Sequence, residues 1–234
     1  MKEKATLASL SPYVPGRPIA DVQKEFKLDK VVKLASNENP FGFSQRVQEA
    51  LAQSLTGLEY YPDGGAKALK KALANVNQVP EERILVGAGL DDVIQIISRS
   101  LLSPEDEIIV ADPTFSQYEL HAVIEGAKVV KVPVKQSSGE MDLEAMLEAI
   151  TAKTKIIWLC NPNNPTGTYL PQSLIRAFIE KVPTDVLVIS DEAYQEYVTD
   201  EAISTSLPLL ETLSNIIVMR TFSKAYGLAG LRIG

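Results

Sequence analysis

Residues 215–232 read Asn215-Ile216-Ile217-Val218-Met219-Arg220-Thr221-Phe222-Ser223-Lys224-Ala225-Tyr226-Gly227-Leu228-Ala229-Gly230-Leu231-Arg232. The stretch begins with an apolar, β-branched run that is typical of a buried strand. A loop of small residues and glycines follows, with Lys224 inside it and Arg232 eight residues later. In open α/β sheets, ligands bind just beyond the carboxyl ends of strands. This stretch therefore predicts a buried strand that opens into a binding loop.

The two cations of this loop suit one particular cofactor. A lysine that forms a Schiff base needs a desolvated pocket in which part of its amine stays neutral. The planar fork of an arginine can donate two hydrogen bonds to a phosphate at once. A lysine for an aldehyde and an arginine for a phosphate together indicate pyridoxal phosphate. Taken alone, Lys224 would be interpreted as a solvated surface lysine, and only the neighbouring motifs favour the cofactor.

A carboxylate follows a second buried strand. Val186-Leu187-Val188-Ile189-Ser190 is a continuous apolar run, and Asp191-Glu192-Ala193-Tyr194 comes directly after it. At the carboxyl end of a parallel strand, Asp191 could hold the pyridine nitrogen of the cofactor protonated, which makes the ring an electron sink. The other interpretation is that Asp191 caps the next helix. The residues alone leave both open.

Two further loops follow strand-like runs. Asn161-Pro162-Asn163-Asn164-Pro165-Thr166-Gly167 comes after 154–160, and its X-Pro steps and glycine predict a rigid turn whose Asn side chains can bind a ligand oxygen. Val86-Gly87-Ala88-Gly89-Leu90-Asp91-Asp92 precedes a helical pattern, so its backbone amides could bind an anion. This second loop lacks the third glycine of the dinucleotide fingerprint and the Gly-Lys-Ser/Thr of a P-loop.

From about Ala66 onward, helical and strand-like patterns alternate, which predicts an α/β fold with a mostly parallel sheet between helices. We expect helices at Ala66–Val76, Leu90–Leu102, Thr114–Glu125, Leu143–Ile150 and Leu174–Lys181. We expect strands at Ile84–Val86, Glu107–Ala111, Val129–Val134, Lys155–Leu159, Val186–Ser190 and Ile216–Met219. Residues 1–40 contain several prolines and are expected to form an irregular N-terminal arm, and residues 41–234 the cofactor-binding large domain. Leu231-Arg232-Ile233-Gly234 reads as the start of another strand.

The composition is that of an ordinary soluble enzyme. The chain has 234 residues, of which 45% are hydrophobic and 23% charged, and its net charge of −7 argues against nucleic acid or an anionic membrane as partner. Cys160 is the single cysteine, so no intramolecular disulfide can form and a reducing cytoplasm is expected. No apolar run reaches the ~18 residues of a membrane span, and the N-terminus lacks the apolar core of a signal peptide. We expect no metal, and His121 is interpreted as a surface or packing residue.

Together, Lys224, Asp191, the turn at 161–167 and Arg232 resemble the fold-type I pyridoxal-phosphate enzymes of the aspartate aminotransferase superfamily. Three stretches resemble one class II subfamily, the histidinol-phosphate aminotransferases. They are Leu34-Ala35-Ser36-Asn37-Glu38-Asn39-Pro40, Tyr61-Pro62-Asp63 and the run from Arg220 to Arg232. The resemblance extends from about Leu10 to the last residue. Members of the family continue into a small C-terminal domain of roughly 100 residues that carries an arginine for the substrate. That domain would be absent from this chain, which would then have little or no activity alone.

The resemblance implies a role for each matching residue. Lys224 would bind the cofactor as a Schiff base and shuttle a proton between the substrate α-carbon and the cofactor carbon C4′, and Asp191 would pair with the ring nitrogen. Asn164 and Tyr194 would hydrogen-bond the ring hydroxyl, and Phe115, where relatives often carry Tyr or Trp, would stack on the ring face. The phosphate would be bound by the backbone amides of Leu90 and Asp91 together with Thr221, Ser223 and Arg232. Tyr61 would bind the phosphate of a neighbouring subunit, and Tyr13 and Asn37 would line the substrate pocket. The Asn164-Pro165 peptide bond would be cis.

The subfamily resemblance implies a homodimer with shared active sites. It also implies amino transfer between histidinol phosphate and 2-oxoglutarate, giving imidazole acetol phosphate and glutamate, in histidine biosynthesis. Two alternatives stay open. One is a sister enzyme such as an aromatic aminotransferase or a threonine-phosphate decarboxylase. The other is a regulatory module that binds pyridoxal phosphate without turnover. Regulators of that kind carry a helix-turn-helix domain before the cofactor domain, and the arm at 1–40 is too short to hold one.

Overall fold

Five parallel strands form one sheet in the computed structural model, which describes residues 4–10, 16–200 and 205–234. The strands are β1 (Glu107–Asp112), β2 (Lys128–Pro133), β3 (Thr154–Cys160), β4 (Leu187–Asp191) and β5 (Ile216–Met219). Their order across the sheet is β2-β1-β3-β4-β5. The continuous apolar runs at β1, β3 and β4 become central strands because a parallel sheet is covered on both faces.

Helices cover both faces of this sheet. The helices in the described residues are α1 (Ile19–Phe26), α2 (Gln45–Gln53), α3 (Lys67–Asn77), α4 (Leu90–Leu101), α5 (Gln117–Glu125), α6 (Leu143–Glu148) and α7 (Gln172–Ile179). One buried cluster joins α6 and α7 to Ile157 and Val188, and the other joins α4 and α5 to Ile156 and Trp158. Neighbouring strand residues thus enter opposite clusters, as the alternation of side chains along a strand requires. Within the described ranges, no helix is both long enough and apolar enough to span a membrane.

Most predicted elements are confirmed, and the largest differences concern one strand and two helices. The strand expected at Ile84–Val86 is wrong. A short 3-10 segment at Glu81–Arg83 ends there, and the Ile84 amide bonds to the Glu81 carbonyl within that turn. A single backbone pair follows, in which Gly87 and Gly234 exchange hydrogen bonds of 2.8 and 3.2 Å. One such pair does not make a ladder.

The N-terminal arm is not wholly irregular, because α1 forms inside it. Ile19, Val22 and Phe26 have helical spacing, and Pro18 precedes the first turn, where a proline is tolerated. The helix α2 was likewise not expected from the sequence. The helix α5 begins at Gln117 rather than at the predicted Thr114. The division of the chain at residue 41 stays a prediction.

The carboxyl ends of β3, β4 and β5 bring their loops to one edge of the sheet. The amide of Asn161 donates to the carbonyl of Asp191 at 2.9 Å, and the amide of Glu192 donates to the carbonyl of Met219 at 3.0 Å. Beyond β5, the amide of Phe222 bonds to the carbonyl of Ile233 at 3.3 Å. The Gly87–Gly234 pair then joins the glycine loop before α4 to the loop that holds the lysine. Four sequence motifs therefore meet at this edge.

Candidate active site

A cavity of about 840 Å³ lies at this edge of the sheet. Eleven of the thirteen predicted site residues line it: Asn37, Leu90, Asp91, Phe115, Asn164, Asp191, Tyr194, Thr221, Ser223, Lys224 and Arg232. They come from segments that are far apart in the chain, and only the sheet brings them together. A smaller adjoining cavity of about 470 Å³ shares Asn37, Asn164 and Tyr194 as a common wall.

Asp191 ends β4 and is only 3% exposed. Its Oδ2 accepts a hydrogen bond of 2.6 Å from the hydroxyl of Tyr118, and its Oδ1 accepts one of 3.0 Å from the amide of Ala193. Burial raises the pKa of this carboxyl to about 6, although both hydrogen bonds oppose the rise. Both of these donors are neutral. The carboxylate thus suits a ligand that brings a proton or a positive charge.

The alternative role for Asp191, capping a helix, does not match its contacts. The amide that it accepts belongs to Ala193, two residues on, within a tight turn. The next helical segment is a short 3-10 turn at Gln195–Tyr197, and its N-cap residue is Tyr194. Asp191 therefore lines the cavity rather than capping a helix.

Tyr118 is a site residue that the sequence analysis missed. Its side chain is fully buried in the first turn of α5, and its ring stacks on Trp158 with centroids 4.5 Å apart. Burial raises its pKa well above the ordinary value, so the hydroxyl stays protonated and can only donate to Asp191. The one available signal was its position three residues after Phe115, a spacing that would put both on one face of the helix predicted at Thr114–Glu125.

Lys224 follows β5 in the glycine-containing loop and is partly buried. Its Nζ donates to the carbonyl of Ser36 at 3.0 Å and lies 5.7 Å from the ring centroid of Tyr194. Burial lowers the pKa of this amine; the acidic neighbours Asp91, Glu38 and Asp191 oppose the change, and Arg232 adds to it. A lysine with a lowered pKa has more neutral amine at a given pH, which is what attack on an aldehyde requires.

The hydroxyl of Tyr194 is fixed by two amides. It accepts hydrogen bonds from Nδ2 of Asn37 at 3.0 Å and from Nδ2 of Asn164 at 3.3 Å. A hydroxyl has one proton to donate and two lone pairs that accept. Since both lone pairs are engaged, the proton is available to a ligand oxygen in the cavity. The Asn164-Pro165 peptide bond is cis, as predicted.

The glycine loop before α4 and Arg232 form a cationic, amide-rich corner. Gly89 has a φ of +88°, and an added Cβ would lie 2.5 Å from Nη2 of Arg232, so only glycine allows the guanidinium to approach so closely. The guanidinium also donates to the carbonyls of Ala229 at 3.0 Å and Ala88 at 3.4 Å. Leu90 and Asp91 begin α4, where amides have no partner within the helix. The corner is therefore suited to a phosphate.

Phe115 and the hydroxyl residues complete the lining. The rings of Phe115 and Tyr118 form a T-shaped pair, with centroids 5.6 Å apart and an interplanar angle of 82°. Thr221 is buried, and its hydroxyl accepts from the amide of Ser223 at 3.1 Å and donates to the carbonyl of Ile233 at 3.5 Å. Thr221 is thus committed to holding the loop. Ser223 lines the cavity beside it.

Two predicted site residues are not brought into the cavity. Tyr61 is fully exposed and does not line it. Tyr13 lies outside the described residues. His121 also stays outside the lining, and burial lowers its pKa. Among the residues that the structure describes, no cluster of His, Cys, Asp or Glu side chains is suited to a metal ion.

Comparisons with known proteins agree with this geometry. Residues 29–234 match the family model described as aminotransferase class I and II. A histidinol-phosphate aminotransferase from Bacillus velezensis is 54% identical over all 234 residues, and the chain spans 65% of that relative's length.

Two solved structures illustrate the fold and its variety. A Sinorhizobium meliloti histidinol-phosphate aminotransferase in complex with pyridoxal-5'-phosphate has a TM-score of 0.86 at 28% identity, covering 99% of this chain and 61% of its own. A Porphyromonas gingivalis L-threonine-O-3-phosphate decarboxylase has a TM-score of 0.73 at 27% identity, covering 87% of this chain and 59% of its own. The same fold thus serves both reaction types.

Proposed function

Because the chain belongs to the class I and II aminotransferase family, we propose that its protein is a pyridoxal-phosphate-dependent aminotransferase acting on histidinol phosphate. The observation that carries the proposal is the convergence of Lys224, Asp191 and Arg232 on one cavity. They are an amine, a buried carboxylate and a guanidinium, and they complement the aldehyde, the ring nitrogen and the phosphate of this cofactor.

The residues present fit the cofactor at each of its polar edges. Asp191 has only neutral donors and a raised pKa, so a protonated ring nitrogen offers it the positive partner that it lacks. The close approach of Arg232 to Gly89 makes the phosphate corner. The Tyr194 hydroxyl is the acceptor in both of these hydrogen bonds, so it can donate its own proton to the ring hydroxyl oxygen of the cofactor. The aromatic ring of Phe115 suits a ring face.

When bound, pyridoxal phosphate supplies an electron sink that stabilises negative charge on the carbon beside an amino group. Asp191 keeps the proton on the ring nitrogen, and its charge acts strongly because the carboxylate is shielded from water. Lys224 would move a proton from the substrate α-carbon to the carbon C4′ of the bound cofactor in the first half of the reaction, and in the opposite direction in the second half. Arg232 and the first amides of α4 hold the phosphate, and Phe115 excludes water from one ring face.

The substrate assignment rests on the 54% identity to a histidinol-phosphate aminotransferase across the whole chain. The amino acceptor is 2-oxoglutarate, the products are imidazole acetol phosphate and glutamate, and the reaction belongs to histidine biosynthesis in the cytoplasm. A coupled assay that measures glutamate formation tests this choice with histidinol phosphate, phenylalanine and threonine phosphate as donors. We expect the highest kcat/KM for histidinol phosphate. A preference for phenylalanine, or release of carbon dioxide from threonine phosphate, would favour the sister enzymes instead.

We also propose a homodimer with shared sites. Leu34, Phe41, Leu58 and Tyr61 are between 75% and 101% exposed, and all lie within the segment 34–61. Monomers rarely leave large apolar patches in water, so a second copy is the natural cover. Tyr61, which stays outside the cavity of its own chain, would then serve the cofactor phosphate of the other subunit.

Subunit mixing tests the shared site. Tyr61→Phe and Lys224→Ala each damage one site component, and a hybrid dimer of the two variants has one site with both lesions and one with neither. If each variant alone is silent, random pairing should restore about a quarter of the wild-type activity. Absence of any recovered activity, with hybrid dimers demonstrated by mass, would argue that each chain builds its own site.

A further inference from the structure

The carboxylate next to Asp191 is also buried, and the mechanism above gives it no role. Glu192 is 2% exposed. Its Oε2 accepts from Nε of Arg220 at 3.1 Å and from the hydroxyl of Thr205 at 2.6 Å, and its Oε1 accepts from the amide of Ser206 at 2.5 Å. These donors engage both oxygens of the Glu192 carboxylate and fix its position.

Arg220 supplies the only positive charge in this set of contacts. Its Nη1 also donates to Oε1 of Glu196 at 2.8 Å, so one guanidinium bridges two carboxylates. Arg220 directly follows β5 and precedes Lys224 by four residues, while Glu192 directly follows Asp191. The ion pair therefore connects the strand end that presents the carboxylate of the cavity to the strand end that leads to its lysine.

The charge of this cation matters because two neighbouring carboxylates are buried together. Burial is the main cause that raises the pKa of Asp191, and the negative charge of Glu192 adds to the rise, so the two carboxylates disfavour one another. An unpaired buried charge is costly, and removal of one partner of a buried pair leaves that cost uncompensated. Arg220 supplies that partner, because its Nε lies 3.1 Å from Oε2 of Glu192.

We propose that Arg220 is a positioning residue for the cofactor site: its guanidinium clamps the buried Glu192, and so holds Asp191 and the loop of Lys224 in their working relation. This inference deepens the proposed function and rests on it for the identity of the cofactor. Neither Arg220 nor Glu192 lines the cavity. Any effect on the cofactor must therefore pass through Asp191 and the lysine loop.

The test compares four variants with the parent protein: Arg220→Met, Arg220→Lys, Glu192→Gln and the double variant Arg220→Met/Glu192→Gln. Pyridoxal phosphate is titrated into each protein at one pH and followed by absorbance, and thermal unfolding is recorded without the cofactor. Arg176→Met is the matched control, because Arg176 also pairs with a glutamate, Glu180, but on an exposed helix face.

We expect Arg220→Met to weaken cofactor affinity about 10- to 100-fold, the range found for residues that orient the direct ligands of metal ions. Arg220→Lys should retain part of the affinity, because it keeps the charge but cannot bridge Glu192 and Glu196 as the planar guanidinium does. The double variant should recover most of the loss, since it removes the buried charge together with its partner. Arg176→Met should bind like the parent.

Two results would overturn the clamp: unchanged affinity in Arg220→Met, or a double variant no better than Arg220→Met. If Arg220→Met does not fold, a folded double variant supports the clamp and an unfolded one contradicts it. If the parent itself fails to bind pyridoxal phosphate, the proposed function is wrong. In that case the contact between Arg220 and Glu192 is still tested by the melting temperatures without cofactor. The melting temperature should fall in Arg220→Met and recover in the double variant.

Discussion

The hydroxyl of Tyr118 donates a hydrogen bond of 2.6 Å to Oδ2 of Asp191, and both side chains are buried. The bond places a neutral donor, rather than a cation, against the carboxylate at the base of the cavity. Asp191 thus keeps its negative charge available for a ligand while its orientation is fixed by the protein.

Tyr118→Phe removes this donor but keeps the ring that stacks on Trp158. Since a buried acceptor then loses a partner, the free energy of unfolding should fall by about 1–3 kcal/mol, and cofactor affinity should fall as well. Urea denaturation measures the first quantity. Tyr226→Phe is the control, because Tyr226 is 49% exposed and should change stability little. If the two variants lowered stability and cofactor affinity equally, the proposed role of Tyr118 in orienting Asp191 would be wrong.

Asp191→Asn should change how stability depends on pH. The pKa of Asp191 is about 6 in the folded protein against an ordinary value of 3.8, so between these two pH values the folded state binds more protons than the unfolded state. Unfolding free energy therefore falls as pH rises through this window, by up to about 3 kcal/mol. Without cofactor, the Asn variant should lack this decrease and be the more stable protein at neutral pH.

The same variant should lose activity. Asparagine has nearly the shape of aspartate but cannot hold the ring nitrogen protonated by charge, so amino transfer should fall by orders of magnitude while the cofactor can still bind. Denaturation curves at a series of pH values, taken beside the assay, measure both effects. Wild-type turnover together with an unchanged pH profile would contradict the role of Asp191.

Gly227→Ala should disturb the contact between the loop that holds Lys224 and the segment that contains Gly42. Gly227 has a φ of +70°, and an added Cβ would lie 2.1 Å from the carbonyl oxygen of Gly42, which packs on the lysine loop. Gly167→Ala is a matched control, since its φ is +68° but the space beside it is open. Gly167→Ala should cost about 1 kcal/mol of stability from backbone strain alone. Gly227→Ala should cost about 1–3 kcal/mol more, measured by thermal unfolding, because the overlap adds to the strain.

Arg232→Ala should weaken binding of pyridoxal phosphate by about 2 kcal/mol, as expected when one partner of a charge pair is removed. Arg232→Lys should restore only part of this loss, because the ammonium cannot reproduce the planar fork. Equilibrium titration followed by absorbance gives both values. Unchanged affinity in the alanine variant would place the phosphate at another part of the cavity.

The fold could be predicted where one strong pattern acts alone. The continuous, β-branched apolar runs at β3 and β4 are typical of buried parallel strands, and the loops after such strands lie at the carboxyl edge of the sheet. The short run at Ile84–Val86 is different, because pairing rather than composition decides whether it becomes a strand. The amide of Ile84 bonds within a turn, and the one backbone pair nearby joins Gly87, just beyond the run, to Gly234.

The cavity-lining residues could be predicted because they lie in loops with unusual motifs, and eleven of them do line the cavity. The supporting residues could not. Tyr118 looks like any aromatic residue on a helix, and only the packing of α5 on the sheet brings its hydroxyl to Asp191. Glu192 and Arg220 belong to strand ends 28 positions apart, and their pairing depends on the neighbouring order of β4 and β5.

Covalent labelling tests the central claim most directly. The protein is incubated with pyridoxal phosphate, reduced with borohydride, digested, and mapped by mass spectrometry. Because Lys224 is partly buried with a lowered pKa and lies in the cavity, we predict that the visible absorbance band disappears on reduction and that the cofactor is found on Lys224. Lys224→Ala should carry no label. A label on another lysine, or no label in the parent protein, would contradict the account.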